Sequence, residues 1–251
     1  MIAVVLYENL SSIHPGLTRE HRFQREILNL WRRSWRNNGF ETLVLTKKDF
    51  SNSDGFKNFC FKMEDINRKI YGNVFENMKK KFLWSYSISC WKRWFLFSEL
   101  GLKEPFYCGD YDVINNYLTP DNCQISDKLT FLNGVCPCWA SGTSDQFKNF
   151  CDVSVRLSEK NINKIIEVFK KDDIQTFYTD QSFCVINKQE EDFKKNFNAA
   201  PNRKFLNGYN ADPESKLIHF SHNFTKRNSA SKKYSDVARV KMIKEFLSKG
   251  R

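Results

Sequence analysis

Asp110-Tyr111-Asp112 is the segment of this sequence whose residue types and spacing most plainly suggest chemistry. Two carboxylates at i and i+2, set where the backbone turns, can both reach one cation. A hard divalent ion takes oxygen ligands, and a nucleoside diphosphate brings two more. Such an ion neutralises the charge that develops on a departing diphosphate, so the pattern suits transfer from a phosphate-activated donor. An Asp-rich surface turn has the same letters. The motif therefore takes its weight from its surroundings.

Pro105-Phe106-Tyr107-Cys108-Gly109 reads as a buried strand running directly into the motif. Before it, residues 85–100 carry Trp91, Trp94, Phe95, Phe97 and Leu100 and predict an apolar, aromatic helix that Gly101 ends. At the front, Ile2-Ala3-Val4-Val5-Leu6 predicts a buried strand, followed by a polar turn through Pro15-Gly16. Residues 19–37 predict a helix, with Phe23, Ile27, Leu30, Trp31 and Trp35 at spacings of three and four and Gly39 as its C-terminal cap. Residues 42–46 give the next strand. Strand, amphipathic helix and strand make a βαβ unit, so the expected fold class is α/β, opening on a parallel sheet of the nucleotide-binding type. Further on, residues 51–80 read as short helices and loops, 129–135 and 147–155 as mixed segments around a turn-rich stretch at 136–144, and 159–170 as one amphipathic helix. Residues 176–180 and 217–220 predict short strands, and 235–247 a terminal helix. No internal repeat or dividing linker is visible. The expected layout is one domain over residues 1–225 with a basic helical tail over 226–251.

The run Ser89-Cys90-Trp91-Lys92-Arg93-Trp94, then Leu100-Gly101, then Asp110-Tyr111-Asp112-Val113, resembles the S-D-x-x-R-Y … G-G-x-Y-x-D-x-D-V signature of the mannosyltransferase and clostridial-toxin glucosyltransferase group of GT-A enzymes. The serine, the arginine, the aromatic after it and the terminal D-x-D-V match. Cys90 stands where that group has Asp, and Leu102 where it has a second Gly. The resemblance implies a GT-A fold, a Rossmann-like mixed sheet flanked by helices. It implies a metal-dependent glycosyltransferase using Mn²⁺ or Mg²⁺ and a nucleotide-sugar donor, a UDP-sugar first of all, with a glycan or surface polysaccharide as acceptor.

By the same resemblance Arg93 reaches the donor sugar or its phosphates, the ordinary alternative being an ion pair that anchors its helix. Asp110 contacts ribose or sugar hydroxyls and the metal, Asp112 is the main metal ligand, and Tyr111 between them belongs to the donor site. The similar glycogenin-like group adds a late histidine ligand in an H-[FY]-x-G-x-x-K context. Lys216-Leu217-Ile218-His219-Phe220-Ser221-His222 offers His219 and His222, with Lys226 nearby but no glycine, and His219 follows an apolar pair that could end a strand. Thr179-Asp180-Gln181 resembles a D-Q strand end of that group; Asp180 then binds acceptor hydroxyls, acts as general base in an inverting reaction, or caps a helix. Tyr7 follows the first strand, where GT-A enzymes place residues that meet the nucleobase; it stacks on a pyrimidine or packs in the core. Asn133-Gly134-Val135 is a faint echo of an N-x-G-[VL] segment.

The composition bounds the remaining readings. At 251 residues and 41% hydrophobic side chains, the chain can bury one substantial core. Net charge is +11, and from Asn223 onward nine Lys/Arg face two Asp/Glu, so the excess lies mostly in the tail. Basic residues there, interleaved with Val237, Val240, Ile243 and Phe246, suit peripheral contact with an anionic membrane, or a helix that docks its apolar face and leaves Arg239, Lys241 and Lys244 solvated. A nucleic-acid partner is not expected, because the charge does not line the fold and no RRM, KH or finger signature occurs. A nucleotidyltransferase shares the layout, but residues 7–20 hold only Gly16 and Arg19 toward a triphosphate loop. The eight cysteines are expected to stay reduced, and Cys136-Pro137-Cys138 is no zinc site. With no signal-like or membrane-spanning run, the expected location is the cytoplasm, with the membrane contact peripheral.

Overall fold

In chain order the elements are β1 (Ile2–Tyr7), α1 (His21–Asn37), β2 (Glu41–Thr46), α2 (Asp54–Tyr71), α3 (Phe75–Lys81), α4 (Trp84–Ser98), β3 (Phe106–Gly109), β4 (Val113–Asn115), β5 (Leu129–Phe131), β6 (Trp139–Gly142), α5 (Ser144–Lys160), α6 (Ile162–Lys171), α7 (Asp180–Asn187), α8 (Glu191–Asn196), β7 (Phe197–Ala199), β8 (Leu217–His219), β9 (Asn223–Lys226), β10 (Ser229–Lys233) and α9 (Asp236–Lys249). The computed structural model describes residues 1–7, 21–46, 54–81, 84–122, 126–131, 139–171, 177–199, 217–220, 223–226, 229–233 and 236–249. The architecture is mixed α/β. The chain divides into two compact units, the first built from Met1–Lys48, Phe106–Ile125 and Asn202–Arg251, the second from Asp49–Pro105 and Ser126–Pro201.

The first unit contains the expected βαβ start. β1 lies between β2 and β3 and runs parallel to both, with Val4 opposite Leu43 on one side and Cys108 on the other. Ala3, Val4 and Val5 are buried, as a central parallel strand requires. α1 buries Ile27, Leu30, Trp31 and Trp35 on one stripe. Its end is a Schellman motif: Phe40 N–H donates to the Trp35 carbonyl at 3.2 Å and Gly39 N–H to the Arg36 carbonyl at 3.1 Å, with Gly39 at φ +85°. The accompanying apolar contact is the Trp35–Phe40 ring pair at 4.9 Å. This turn delivers the chain straight into β2.

The C-terminal half of α1 also fastens β4. The Trp35 indole N–H donates to the Val113 carbonyl at 3.2 Å, and Asn115 N–H donates to Ser34 Oγ at 3.1 Å. α9 packs along α1, where Lys244 pairs with Glu26. In α9, Arg239 and Ile243 are fully buried and Val240 nearly so, whereas Val237 is 48% exposed. This corrects two expectations for the tail. Arg239, Ile243 and Phe246 stand at i, i+4 and i+7 on one face, and Val237, Lys241 and Lys244 at i, i+4 and i+7 on another. The arginine is therefore on the docked side.

In the second unit β5 pairs antiparallel with β6 and parallel with β7. Trp94, Phe147 and Phe150 interlock, the Trp94–Phe150 rings lying 4.5 Å apart. α5 opens on a capping box in which the Thr143 side chain and Gln146 satisfy each other's backbone N–H groups. Gly142 makes room for it, because a Cβ there would come within 2.7 Å of Gln146 Oε1.

Four expectations for this unit are corrected. Residues 54–71 form one 18-residue helix, because Phe59, Met63, Ile66 and Ile70 give a buried stripe among the Asn and Lys residues. Residues 147–155 lie inside α5. The helix expected over 159–170 is interrupted at Asn161, which caps α5, so α6 starts at Ile162. No strand forms at 177–179, and residue 176 lies outside the described residues. The Asn67 side-chain amide bonds both the N–H and the carbonyl of Tyr178, at 2.9 and 3.2 Å, and the Trp91 indole donates to the same carbonyl. Side chains thus meet the backbone polar groups that a neighbouring strand would otherwise satisfy. Among the described residues no helix is long and apolar enough to cross a membrane.

Candidate metal centre

β3 ends at Gly109 beside the end of β1, and the chain turns at once: Val113 N–H donates to the Asp110 carbonyl at 3.0 Å. The turn projects Asp110 and Asp112 just before β4. β4 pairs antiparallel with β8 in a register that sets Val113 opposite His219, and Phe220 N–H donates to the Asp112 carbonyl at 2.9 Å. Two short strands thereby carry a histidine from late in the chain against the two carboxylates.

His219 Nε2 lies 3.2 Å from Asp112 Oδ1 and 3.9 Å from Asp110 Oδ2. One donor atom from each of the three residues falls within 4.8 Å of the others, so Asp110, Asp112 and His219 could hold a metal ion. The distances suit one. Ligands about 2.1 Å from an octahedral ion stand about 3.0 Å apart when adjacent and about 4.2 Å when opposite. Burial is graded across the set. The side chains of His219 and Asp112 are 10% and 12% exposed, and that of Asp110 is 36% exposed, so the mouth of the site lies on the Asp110 side.

Sequence reasoning missed Arg239. It is fully buried, its Nε donates to the Phe220 carbonyl at 2.8 Å, and its Nη2 donates to Asp112 Oδ2. The signal was available in its helical spacing from Ile243 and Phe246. Tyr7 meets Tyr111 edge to face, with ring centroids 5.5 Å apart and planes at 72°. Tyr111 is buried, so the motif's middle residue packs into the unit while its neighbours face the donor set.

Arg93 and Asp180 belong to the second unit and meet each other there. Arg93 Nη2 lies 2.7 Å from Asp180 Oδ2, the Trp94 indole N–H donates to the same oxygen at 2.7 Å, and Gln181 N–H donates to Oδ1 at 2.8 Å. Asp180 is 2% exposed. Thr179, not Asp180, stands at the N-cap of α7. His222, Asn133-Gly134-Val135, Pro15-Gly16 and Cys136-Pro137-Cys138 lie outside the described residues. The side chains of Lys226, Lys232 and Lys233 lie outside them too.

Comparison of the chain with models of protein families, with curated proteins and with solved structures found no match.

Proposed function

We propose that the chain is a divalent-cation-dependent glycosyltransferase of the GT-A kind, moving a sugar from a nucleoside-diphosphate sugar, a UDP-sugar first of all, to a hydroxyl of a glycan or surface polysaccharide. One observation carries the reading: two carboxylates and an imidazole converge where β3 ends alongside β1. The carboxyl ends of parallel strands are where open α/β sheets bind nucleotides.

Asp110, Asp112 and His219 would hold Mn²⁺ or Mg²⁺, which when bound supplies the charge that compensates a leaving diphosphate. Asp112 and His219 are the fixed members, held by the strand ladder and by burial. Asp110, the most exposed of the three, is the member open to an incoming ligand and would orient ribose or sugar hydroxyls as well. Tyr7, held against Tyr111 at the end of β1, would offer its ring to a nucleobase.

The test is a panel of nucleoside-diphosphate sugars incubated with the purified chain and Mn²⁺ or EDTA, with release of free nucleoside diphosphate as the readout. Slow, EDTA-sensitive hydrolysis of one donor is expected. Turnover of a nucleoside triphosphate instead would point to a nucleotidyltransferase, and absence of any metal-dependent nucleotide binding would remove the proposal.

A further inference from the structure

We infer that Arg239 is a positioning residue of the metal centre, holding both of its buried arms in place from the C-terminal helix. The inference deepens the reading above and rests on its metal site, not on the identity of the donor. Its basis is that one buried guanidinium touches both segments that supply ligands. Nη2 bonds Oδ2 of Asp112 in the turn before β4, and Nε bonds the carbonyl of Phe220, the residue after His219 at the end of β8. The planar fork reaches two acceptors at once, which an ammonium group cannot do in the same geometry.

The bond to Oδ2 also fixes which oxygen of Asp112 serves the site. Oδ1 is the one turned toward His219 Nε2, at 3.2 Å, so Asp112 offers a cation one oxygen in one direction. Arg239 adds a positive charge against the Asp112 carboxylate, and that charge alone would oppose cation binding. Orientation and counter-charge therefore predict opposite effects of removing it. Orientation is favoured because the guanidinium is committed to the far oxygen and to a backbone carbonyl, and partners of this kind behind metal ligands typically contribute about 10–100-fold in affinity.

The test measures Mn²⁺ affinity of the full chain by the loss of the free-ion EPR signal, alongside thermal unfolding. Arg239→Met removes the charge and the fork, and Arg239→Lys keeps the charge while losing the fork. Ile243→Ala loosens the same helix without touching Asp112. Both Arg239 variants are expected to weaken Mn²⁺ by about 10–100-fold, whereas Ile243→Ala lowers the melting temperature and leaves the affinity unchanged. Should Arg239→Met not fold, Arg239→Lys carries the comparison. Unchanged affinity in Arg239→Lys, or tighter binding in Arg239→Met, would show that the residue acts only as a counter-charge and would overturn the inference. Failure of the unaltered chain to bind Mn²⁺ would overturn both this inference and the proposed function. Mn²⁺ binding without turnover of any sugar nucleotide would remove the proposed function alone.

Discussion

His219 Nε2 stands 3.2 Å from Oδ1 of Asp112, across a ladder in which Val113 faces His219. The opposite oxygen of the same carboxylate accepts from a buried guanidinium. Asp112 thus serves two masters, one toward the candidate metal and one toward the core, whereas Asp110 faces outward.

That difference separates two substitutions that remove the same charge. Asp110→Asn should abolish Mn²⁺ binding and cost on the order of a hundredfold or more in turnover, with little change in stability. Asp112→Asn should do the same and in addition destabilise the fold, because it leaves Arg239 buried beside a neutral amide, a loss of about 3–5 kcal/mol in comparable cases. Metal titration and urea unfolding of the two variants in parallel check this. Equal stability would mean that the Arg239 pair contributes nothing to the fold.

In the second unit, Asp180→Asn should lower stability by about 3 kcal/mol, since Arg93 is then left facing an uncharged group and the Trp94 indole loses an ionised acceptor. Arg93→Lys should also destabilise, because a shorter ammonium-bearing chain does not reproduce the buried Nη2–Oδ2 contact. Turnover measured per folded molecule separates this anchoring from a direct part in transfer. A fall in that quantity, with stability unchanged, would mean that the pair acts on substrate.

Gly39→Ala should destabilise the first unit by about 1–2 kcal/mol, because residue 39 has φ +85° and an added Cβ is strained there. Space is not the obstacle: the new Cβ would lie 3.5 Å from Pro120 Cδ, an ordinary contact. Gly39→Asn should be milder, since asparagine tolerates the left-handed region. Urea midpoints of the two variants test the order.

Burial pushes the Cys60 thiol up from 9.0 to about 11, and it raises Cys151, Tyr71 and Tyr178 as well. Each of these acids keeps its proton to higher pH in the folded chain than in the unfolded one. Their contribution to stability is therefore fully present below about pH 9 and is lost as pH rises through the folded values. Urea midpoints should hold steady up to about pH 9 and fall above it. At pH 8 less of Cys60 is thiolate than of an ordinary thiol, so its alkylation by iodoacetamide should be slower than that of an unfolded-chain cysteine. Mass spectrometry of the modified peptide gives the rate.

The parts of the site that could be read from the letters are those set by local rules. A β-branched run, a helix stripe ending at Gly39 and an apolar strand running into two aspartates each announce themselves within a few residues. His219 emerged only through a resemblance, because its partnership with Asp112 is made by strand pairing between distant segments. Arg239 is not on the solvated face expected of a charge, and its spacing from Ile243 and Phe246 is what puts it on the docked one. The strand expected at 176–180 failed for a different reason. Tyr178 satisfies its backbone on the side chains of Asn67 and Trp91, and no period in a sequence encodes that substitution. α2 was hidden by its polar majority, since a single buried stripe is enough to dock a helix.

The order in which the two units take their segments has a consequence during synthesis. Every residue of the second unit is translated before Asn202–Arg251, the last segment of the first. When the second unit has all of its residues, the nascent chain holds Asp110 and Asp112 but neither His219 nor Arg239. Domains tend to complete as units as they emerge. The second unit can mature first, and the candidate metal site is assembled late in translation, its Asp112 meeting Arg239 only when the last helix arrives.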